Sequence, residues 1–306
     1  AGRLYKYPFE EQLMIYAQRP NATACAPLET WNKPMNRYVR RGSKGIALID
    51  QSGDIPRLRY VFDYADTIDG RQNARKPYVW EMKPEHEDAV IEAIDNAYNI
   101  DSFMGWEGIG GRALVGSEVG DIIFGLAHEL AARYYEDNER DIGYSAENSF
   151  LEDYDEFNLK IAYQDALTVS AAYCMMSRCG IDPAEYLEDE DFQPIFDFNT
   201  PESVRALGQG VSTISEEVLR EIEVAIKKHE RQKTVSQTLT AERGATHERP
   251  DLHSQQRLSD TEHSGAGEPS AEQVRHDAQN LSQGASPDSL QRADLDGAAV
   301  SPLPGD

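Results

Sequence analysis

The segment 37–44 carries the residue types best suited to binding an anionic polymer. Four cations and one aromatic ring fall within these eight residues: Arg37, Tyr38, Arg40, Arg41 and Lys44. Cations at this density can neutralise phosphates, and exposed rings can stack on unpaired bases, a combination that suits single-stranded nucleic acid. Trp31, a few residues upstream, adds a further candidate stacking surface. The competing interpretation is that the cations are only solvated and the rings belong to the core, and residue types alone leave both open.

The turn at 41–45, Arg-Gly-Ser-Lys-Gly, resembles a phosphate-binding loop in composition only. A P-loop needs the spacing G-x-x-x-x-G-K-[ST] between a strand and a helix, and this turn has neither the spacing nor a helix after it. We therefore expect no nucleotide site at this turn.

His128 and Glu129 fall in a predicted helix and could begin a zinc metalloprotease motif. That motif needs a second histidine four residues after the first, so that both imidazoles ligate the metal from one helix face. Position 132 is Ala, and the next predicted helix, over 157–179, supplies no histidine. We therefore expect a partly buried helix with one histidine, without metal or catalytic residues.

The remaining acidic and cysteine residues match no recognisable metal or cofactor site. The acidic clusters at 153–156 and 188–191 lack the alternating oxygens and the turn glycine of an EF-hand loop. The three cysteines fit neither a disulfide framework nor a zinc motif: Cys25, Cys174 and Cys179. We therefore predict a chain without cofactor or metal that is not itself an enzyme.

Charge is distributed unevenly along the 306 residues. The net charge of the chain is −24, whereas residues 1–77 hold 13 Lys/Arg and 8 Asp/Glu. This asymmetry indicates a basic binding region followed by an acidic body that by itself would repel nucleic acid. No apolar run approaches the ~20 residues that span a membrane, and no signal peptide is visible, so we expect a cytoplasmic protein without membrane contact.

An α+β fold in three parts is expected to position these residues. Residues 3–77 are predicted to form a small sheet domain, residues 78–232 an acidic helical domain, and residues 233–306 a disordered tail. No Phe, Tyr or Trp follows Phe198. The polar composition of the tail cannot bury enough apolar surface to offset the entropy of ordering it.

Periodicity and turn signals predict the individual elements. The central one is a β-hairpin of 38–39 with 46–49 that carries the cations at its tip. The other elements of the first domain are a helix over 8–19 with Phe9, Leu13, Tyr16 and Ala17 on one apolar face, a short helix over 27–32, a strand over 57–64 and a polar loop over 67–77. The second domain is predicted to hold four helices, over 84–98, 118–135, 157–179 and 213–232. Gly180 is expected to end the third helix, and a capping box of Thr213 and Glu216 to open the fourth. A loop at 105–116 and a solvated acidic stretch at 136–157 are expected between these helices.

Several stretches of the chain resemble proteins of mobile genetic elements. They are 7–20 (YPFEEQLMIYAQRP), 22–24 with Trp31, 37–46 (RYVRRGSKGI), 58–63, 177–183 and 195–201. The N-terminal stretches are similar to the N-terminal domain of ArdC-type antirestriction proteins. Together they are more similar still to the opening region of large proteins of integrative and conjugative elements, in which such a segment precedes helicase and DNA-methylase portions.

This resemblance implies that the N-terminal domain binds single-stranded DNA. The residues that match are Arg37, Arg40, Arg41 and Lys44, with Tyr38 and Trp31 nearby. The family also has a metalloprotease-like C-terminal domain, from which this chain departs because the paired histidines are absent. Helicase and methylase motifs are absent too, so the chain is expected to be a fragment ending in the linker before them.

The leading hypothesis is a non-catalytic module that binds single-stranded DNA during conjugative transfer or antirestriction. Its expected partners are single-stranded DNA and conjugation or restriction-system proteins. Two alternatives stay open, an acidic protein-interaction scaffold or DNA mimic, and a degenerate zinc metalloprotease-like protein.

Overall fold

The computed structural model describes residues 2–50, 52–53, 55–100 and 118–247, and these residues have the predicted α+β architecture. Six α-helices follow one another in this part of the chain: α1 (Phe9–Gln18), α2 (Leu28–Asn32), α3 (Glu87–Tyr98), α4 (Val119–Ala146), α5 (Glu156–Cys179) and α6 (Pro201–His247). Five short strands precede α3: β1 (Cys25–Pro27), β2 (Arg37–Val39), β3 (Ile46–Asp50), β4 (Arg57–Asp63) and β5 (Thr67–Asp69). The predicted loop at 105–116 lies outside the described residues. Of the tail predicted over 233–306, residues 233–247 belong to α6, and residues 248–306 lie outside the described residues.

The strands form two antiparallel sheets. The order β1-β4-β3 builds the larger sheet, and β2 pairs with β5 in the smaller one. The predicted hairpin of 38–39 with 46–49 is therefore wrong, because its two strands lie in different sheets. The predicted polar loop over 67–77 is wrong at its start, where β5 is formed.

Side-chain contacts explain why longer-range pairing replaces the hairpin. The pairing of β3 with β4 aligns Ile46 with Val61 and buries both, together with Leu48, in the core under this sheet. The pairing of β2 with β5 lets Arg37 donate from Nε to the hydroxyl of Thr67 at 2.8 Å. Burial of apolar side chains and a buried hydrogen bond therefore outweigh the short loop that favours a local hairpin.

Helix α1 forms where predicted, but it packs through a different face. Ile15 is fully buried, and Gln12 beside it donates from Nε2 to the hydroxyl of Ser212 in α6 at 2.9 Å. Leu13 and Tyr16, from the predicted apolar face, are 49% and 62% exposed. Phe9 of the predicted face does pack, against Gly208 of α6. The rest of that face is wrong because a hydrogen-bonded glutamine occupies the inner side, and periodicity counts only apolar residues.

Helices α4, α5 and α6 share the larger of the two core clusters. Helices α3 and α5 match their predicted bounds closely, whereas α4 runs on to Ala146, past the predicted end at 135. The stretch predicted to be solvated from 136 is thus helical at its start. Helix α6 begins at Pro201 instead of Thr213 and continues to His247 instead of ending near 232.

Two residues upstream of the predicted capping box set the start of α6. The backbone N–H of Ser203 donates to Oγ1 of Thr200 at 3.2 Å, and the N–H of Thr200 donates to Oγ of Ser203 at 3.1 Å. Pro201 between them suits the first helical position. The motif at Thr213 therefore lies inside a helix that an equivalent motif has already opened.

The sheets and the helices belong to one compact unit, which contains all described residues. The predicted boundary at 77/78 falls inside this unit, at the segment 78–83, which we call the strap. Trp80 of the strap is buried in the larger core cluster. Its Nε1 donates to the hydroxyl of Tyr5 at 3.2 Å, and its carbonyl accepts from Nη2 of Arg178 at 2.8 Å. The strap thereby joins the N-terminal segment to α5.

Gly180 and Gly143 should respond in opposite ways to the same substitution. Gly180 caps α5 as predicted, in a left-handed conformation with φ +78° and open space at its Cβ position. Gly180→Ala should therefore cost about 1 kcal/mol through backbone strain alone. Gly143 lies inside α4, also with open space, so Gly143→Ala should stabilise by about 0.5–1 kcal/mol. Urea unfolding measures both free energies, and changes of the same sign would contradict this explanation.

Candidate nucleic-acid interface

The segment 40–45, which we call the basic loop, connects β2 of the smaller sheet to β3 of the larger sheet. The backbone N–H of Arg40 donates to the carbonyl of Asp66 at 2.9 Å, and the N–H of Ser43 donates to the carbonyl of Arg40 at 3.1 Å. Gly42 turns the chain with φ +90°, a conformation that glycine adopts without strain. The loop is therefore held at its base by backbone hydrogen bonds and presents its side chains outward.

Three cations of the basic loop are available to a ligand. The side chains of Arg40, Arg41 and Lys44 are all exposed, and none of them joins an ion pair within the described residues. Their charges lie close together in the chain. Such a cluster attracts phosphates through counterion release.

Arg37, which the sequence predicts to be one of these exposed cations, has a structural role instead. It is 4% exposed, and its guanidinium forms an ion pair with Asp69 on the neighbouring strand β5. The same group lies over the ring of Tyr64, 4.4 Å from the ring centroid. With the bond to Thr67, these contacts occupy the guanidinium, so Arg37 ties β2 to β5 and is not part of the exposed surface.

Trp31 is likewise a core residue and not an exposed stacking ring. Its side chain is 2% exposed, and its Nε1 donates to the carbonyl of Phe62 at 2.9 Å. It thus anchors α2 against β4. Its burial removes it from the candidate contact residues, although it supports the sheet on which they lie.

Tyr38 is exposed beside the basic loop. Its side chain is 49% exposed, and its cross-strand partner Ile68 on β5 is 47% exposed. The two residues form a small apolar surface on the smaller sheet, at the end where the basic loop begins. Tyr38 can therefore stack on a base while the adjacent cations contact its phosphates.

Tyr60 is an aromatic residue at the other end of the basic loop and is not among the contact residues predicted from the sequence. It is 52% exposed, on the same outer sheet face as Leu58 (64% exposed) and Ile49 (42% exposed). A Cβ added to Gly45 would lie 3.2 Å from Cβ of Tyr60, so the loop runs directly against this tyrosine. The alternation of exposed and buried residues along β4 was the signal that could have identified it.

Further exposed cations flank the smaller sheet. The N–H of Gly70 donates to the carbonyl of Asn36 at 2.9 Å, and the N–H of Arg75 donates to the carbonyl of Met35 at 2.8 Å. These bonds hold the segment 70–76 alongside the residues that lead into β2. The exposed cations of this segment are Arg71, Arg75 and Lys76. They extend the positive surface beyond the basic loop.

Asp50 lies at the far end of β3, opposite the exposed Arg57 of β4. Hydrogen bonds from the side chain and backbone of Ser52 lower the pKa of Asp50, which therefore stays ionised at neutral pH. The exposed cations and rings thus extend from the segment 70–76 across Tyr38 and the basic loop to Tyr60, and Arg57 adds a further exposed cation on β4.

The candidate metal and nucleophile residues of the sequence lie elsewhere and are not assembled. Within the described ranges, no group of three His, Cys, Asp or Glu residues is placed to hold a metal ion. Burial lowers the pKa of His128, in α4, which keeps its imidazole neutral. Burial also raises the pKa of Cys25 and of Cys179 to about 12, so neither thiol is a ready nucleophile.

No helix in the described part of the chain combines the length and apolar character that a membrane crossing requires. Comparison with known proteins found no matching family model, no matching curated protein and no matching solved structure.

Proposed function

We propose that this chain is a non-catalytic module that binds single-stranded DNA within a protein of a mobile genetic element. The observation that carries the proposal is the basic loop, whose three exposed cations lie between two exposed tyrosines, Tyr38 and Tyr60. Phosphates would contact the cations, and unpaired bases would stack on the two rings.

The shape and charge of the surface favour a single strand over a duplex. Reading of duplex DNA generally requires an element that enters a groove, whereas the proposed surface is a loop between two small sheets. Stacking on a tyrosine needs bases that are already unpaired. The high negative charge of the chain as a whole would also disfavour a long duplex reaching past the basic surface.

The biological setting, conjugative transfer or protection from restriction, rests on the resemblance of 7–20 and 37–46 to ArdC-type and conjugative-element proteins. Under this proposal the module would hold the transferred strand while a partner protein acts on it. Conjugation or restriction-system proteins are the partners that such a setting implies.

The double variant Arg40→Ala/Arg41→Ala should bind single-stranded DNA more weakly and with less salt dependence. Each lost phosphate contact lowers the slope of log affinity against log salt by roughly 0.7, so two losses lower it by roughly 1.4. We expect affinity for a labelled oligonucleotide at 50 mM salt to fall about tenfold or more. Fluorescence anisotropy at 50 and 200 mM salt measures both effects.

Lys228→Ala/Arg231→Ala is the matched control, because it removes the same charge from the exposed face of α6. This control should bind like the unmodified chain. Equal losses in the two double variants would show that only the overall charge matters, and unchanged binding in Arg40→Ala/Arg41→Ala would refute the proposed interface.

A further inference from the structure

A cleft of about 710 Å³ lies on another part of the surface, where the N-terminal segment, the end of α1, the strap and the end of α5 meet. Its volume is in the range of sites that hold small ligands. None of the cations of the basic loop lines it. The cleft is therefore a separate feature from the proposed DNA interface.

Two arginines, Arg3 and Arg178, line this cleft. Arg178 stacks on the ring of Trp80, with its guanidinium carbon 3.5 Å from the ring centroid. Arg3 is exposed and lies near it, because the preceding residue packs on α5: a Cβ added to Gly2 would be 3.0 Å from Cβ of Arg178. Neither arginine forms an ion pair with any residue that the structure describes.

The half-buried position of Arg178 makes an anion there favourable. Burial lowers the pKa of Arg178, and the charge of Arg3 acts in the same direction. Burial means that the guanidinium charge lacks part of the solvation it would have in water, and repulsion from the like charge of Arg3 disfavours that charge further. An anion entering the cleft would restore that stabilisation through charge-assisted hydrogen bonds, for which the guanidinium has the geometry.

The acids around the cleft leave this positive charge largely uncompensated. Asp66 is paired with Arg19, which also lines the cleft. The charge of Glu223 raises the pKa of Arg178, but the carboxylate of Glu223 is already bound by Lys6 at 2.6 Å and Lys227 at 2.5 Å. Among the lining residues, Glu81 is the acid, and its side chain is exposed.

The cleft also has an exposed aromatic and apolar wall. Tyr16, at the end of α1, is 62% exposed, and Val79 of the strap is 51% exposed. Both are large apolar surfaces that solvent reaches through the cleft. A flat ring can stack on Tyr16, with Val79 as a second apolar contact.

We propose that this cleft binds a nucleoside monophosphate unit, with its phosphate on Arg3 and Arg178 and its base against Tyr16. The chemistry is the same for a free nucleotide and for the 5′-phosphorylated end of a strand. The inference rests on the cleft alone, so failure of the proposed DNA interface would leave it standing.

Isothermal titration of the full chain with dAMP, deoxyadenosine and inorganic phosphate tests the site. We expect dAMP to bind more tightly than either of its parts. Tyr16→Ala should weaken dAMP about fivefold or more, as expected for loss of a stacked base, and should leave phosphate binding unchanged. Arg3→Ala should weaken both dAMP and phosphate. These two positions are exposed, so circular dichroism should show unchanged folding.

Tyr144→Ala is the control for Tyr16→Ala, because it removes a tyrosine of α4 that is 58% exposed and belongs neither to the cleft nor to the proposed DNA interface, and it should leave dAMP binding unchanged. Competition of dAMP by a 5′-phosphorylated oligonucleotide, and not by its 5′-hydroxyl form, would identify a strand end as the ligand. Lack of competition by either would identify the free nucleotide. Absence of dAMP binding at millimolar concentration, or binding that neither variant weakens, would overturn the inference.

Discussion

Glu223→Ala is expected to destabilise the protein by about 3 kcal/mol. Glu223 is 4% exposed, and its carboxylate is held by Lys6, Lys227 and the hydroxyl of Tyr5. These contacts join the N-terminal segment to α6. Alanine would remove all of them and leave the buried hydroxyl of Tyr5 without this acceptor. The loss should lie at the low end for a broken buried pair, because the two lysines remain partly exposed and can be hydrated.

The contribution of Glu223 to stability should also depend on pH, because its pKa differs between the folded and unfolded states. Burial by itself would raise the pKa of Glu223, but hydrogen bonds from Lys227, Lys6 and Tyr5 outweigh it and lower the pKa to about 2. A carboxylate whose pKa is lower in the folded state than in the unfolded state stabilises the fold when it is ionised. This stabilisation is fully present at pH values above 4.5, the ordinary pKa of a glutamate. That stabilisation is lost as the pH falls from 4.5 towards 2.

Urea unfolding of the unmodified chain and Glu223→Gln between pH 7 and pH 2.5 measures this effect. The difference in unfolding free energy between them should be largest at pH 7 and shrink below pH 4.5. Glu221→Ala, at an exposed position on the same helix, is the matched control and should change stability by less than about 0.5 kcal/mol. A difference that stays constant down to pH 2.5 would contradict an ionised Glu223 in the folded protein.

Trp31→Ala is expected to cost about 4 kcal/mol, because it removes a large buried side chain and leaves a cavity. The substitution also removes the hydrogen bond from Nε1 to the carbonyl of Phe62. α2 and β4 would lose their contact at this point. Thermal unfolding followed by circular dichroism should show a markedly lower midpoint.

Tyr38→Ala is the matched comparison for Trp31→Ala, because it truncates an aromatic ring that is 49% exposed. It should change stability by no more than about 0.5 kcal/mol and, under the proposed function, should weaken binding of single-stranded DNA. Trp31→Phe should recover much of the lost stability. A Trp31→Ala variant that folds normally would be incompatible with the packing of α2 on β4.

Local sequence patterns were sufficient to predict those helices and strands whose ends are marked by residues with a local conformational preference. Proline before α1 and the glycine after α5 place those helix ends correctly, since each residue has a conformational restriction or freedom that acts locally. The strand over 57–63 was predictable from its alternation. The start of α6 was missed because Thr200 and Thr213 both head plausible caps, and only packing of the residues between them decides which one is used.

The residues of the candidate site likewise include some whose exposure the sequence predicts and others whose position depends on the tertiary structure. Exposure of Arg40, Arg41 and Lys44 follows from a short, charged, glycine-containing loop, which the sequence displays directly. The burial of Arg37 could not be inferred, because its partners Asp69 and Thr67 are more than 25 residues away in the chain. Tyr60 was missed because its closeness to the basic loop depends on the pairing of β3 with β4.

The amino-acid sequence by itself determined the α+β class, the positions of most helices and the identity of the cationic loop, because all of these depend on nearby residues. Only the tertiary structure decided which cations are free and which are bound, since a charge is neutralised by whatever the fold brings within a few ångströms. It also created the cleft beside Arg178, whose walls come from four separate parts of the chain. No local sequence pattern predicts a cavity of this kind, because its walls come together only in the folded chain.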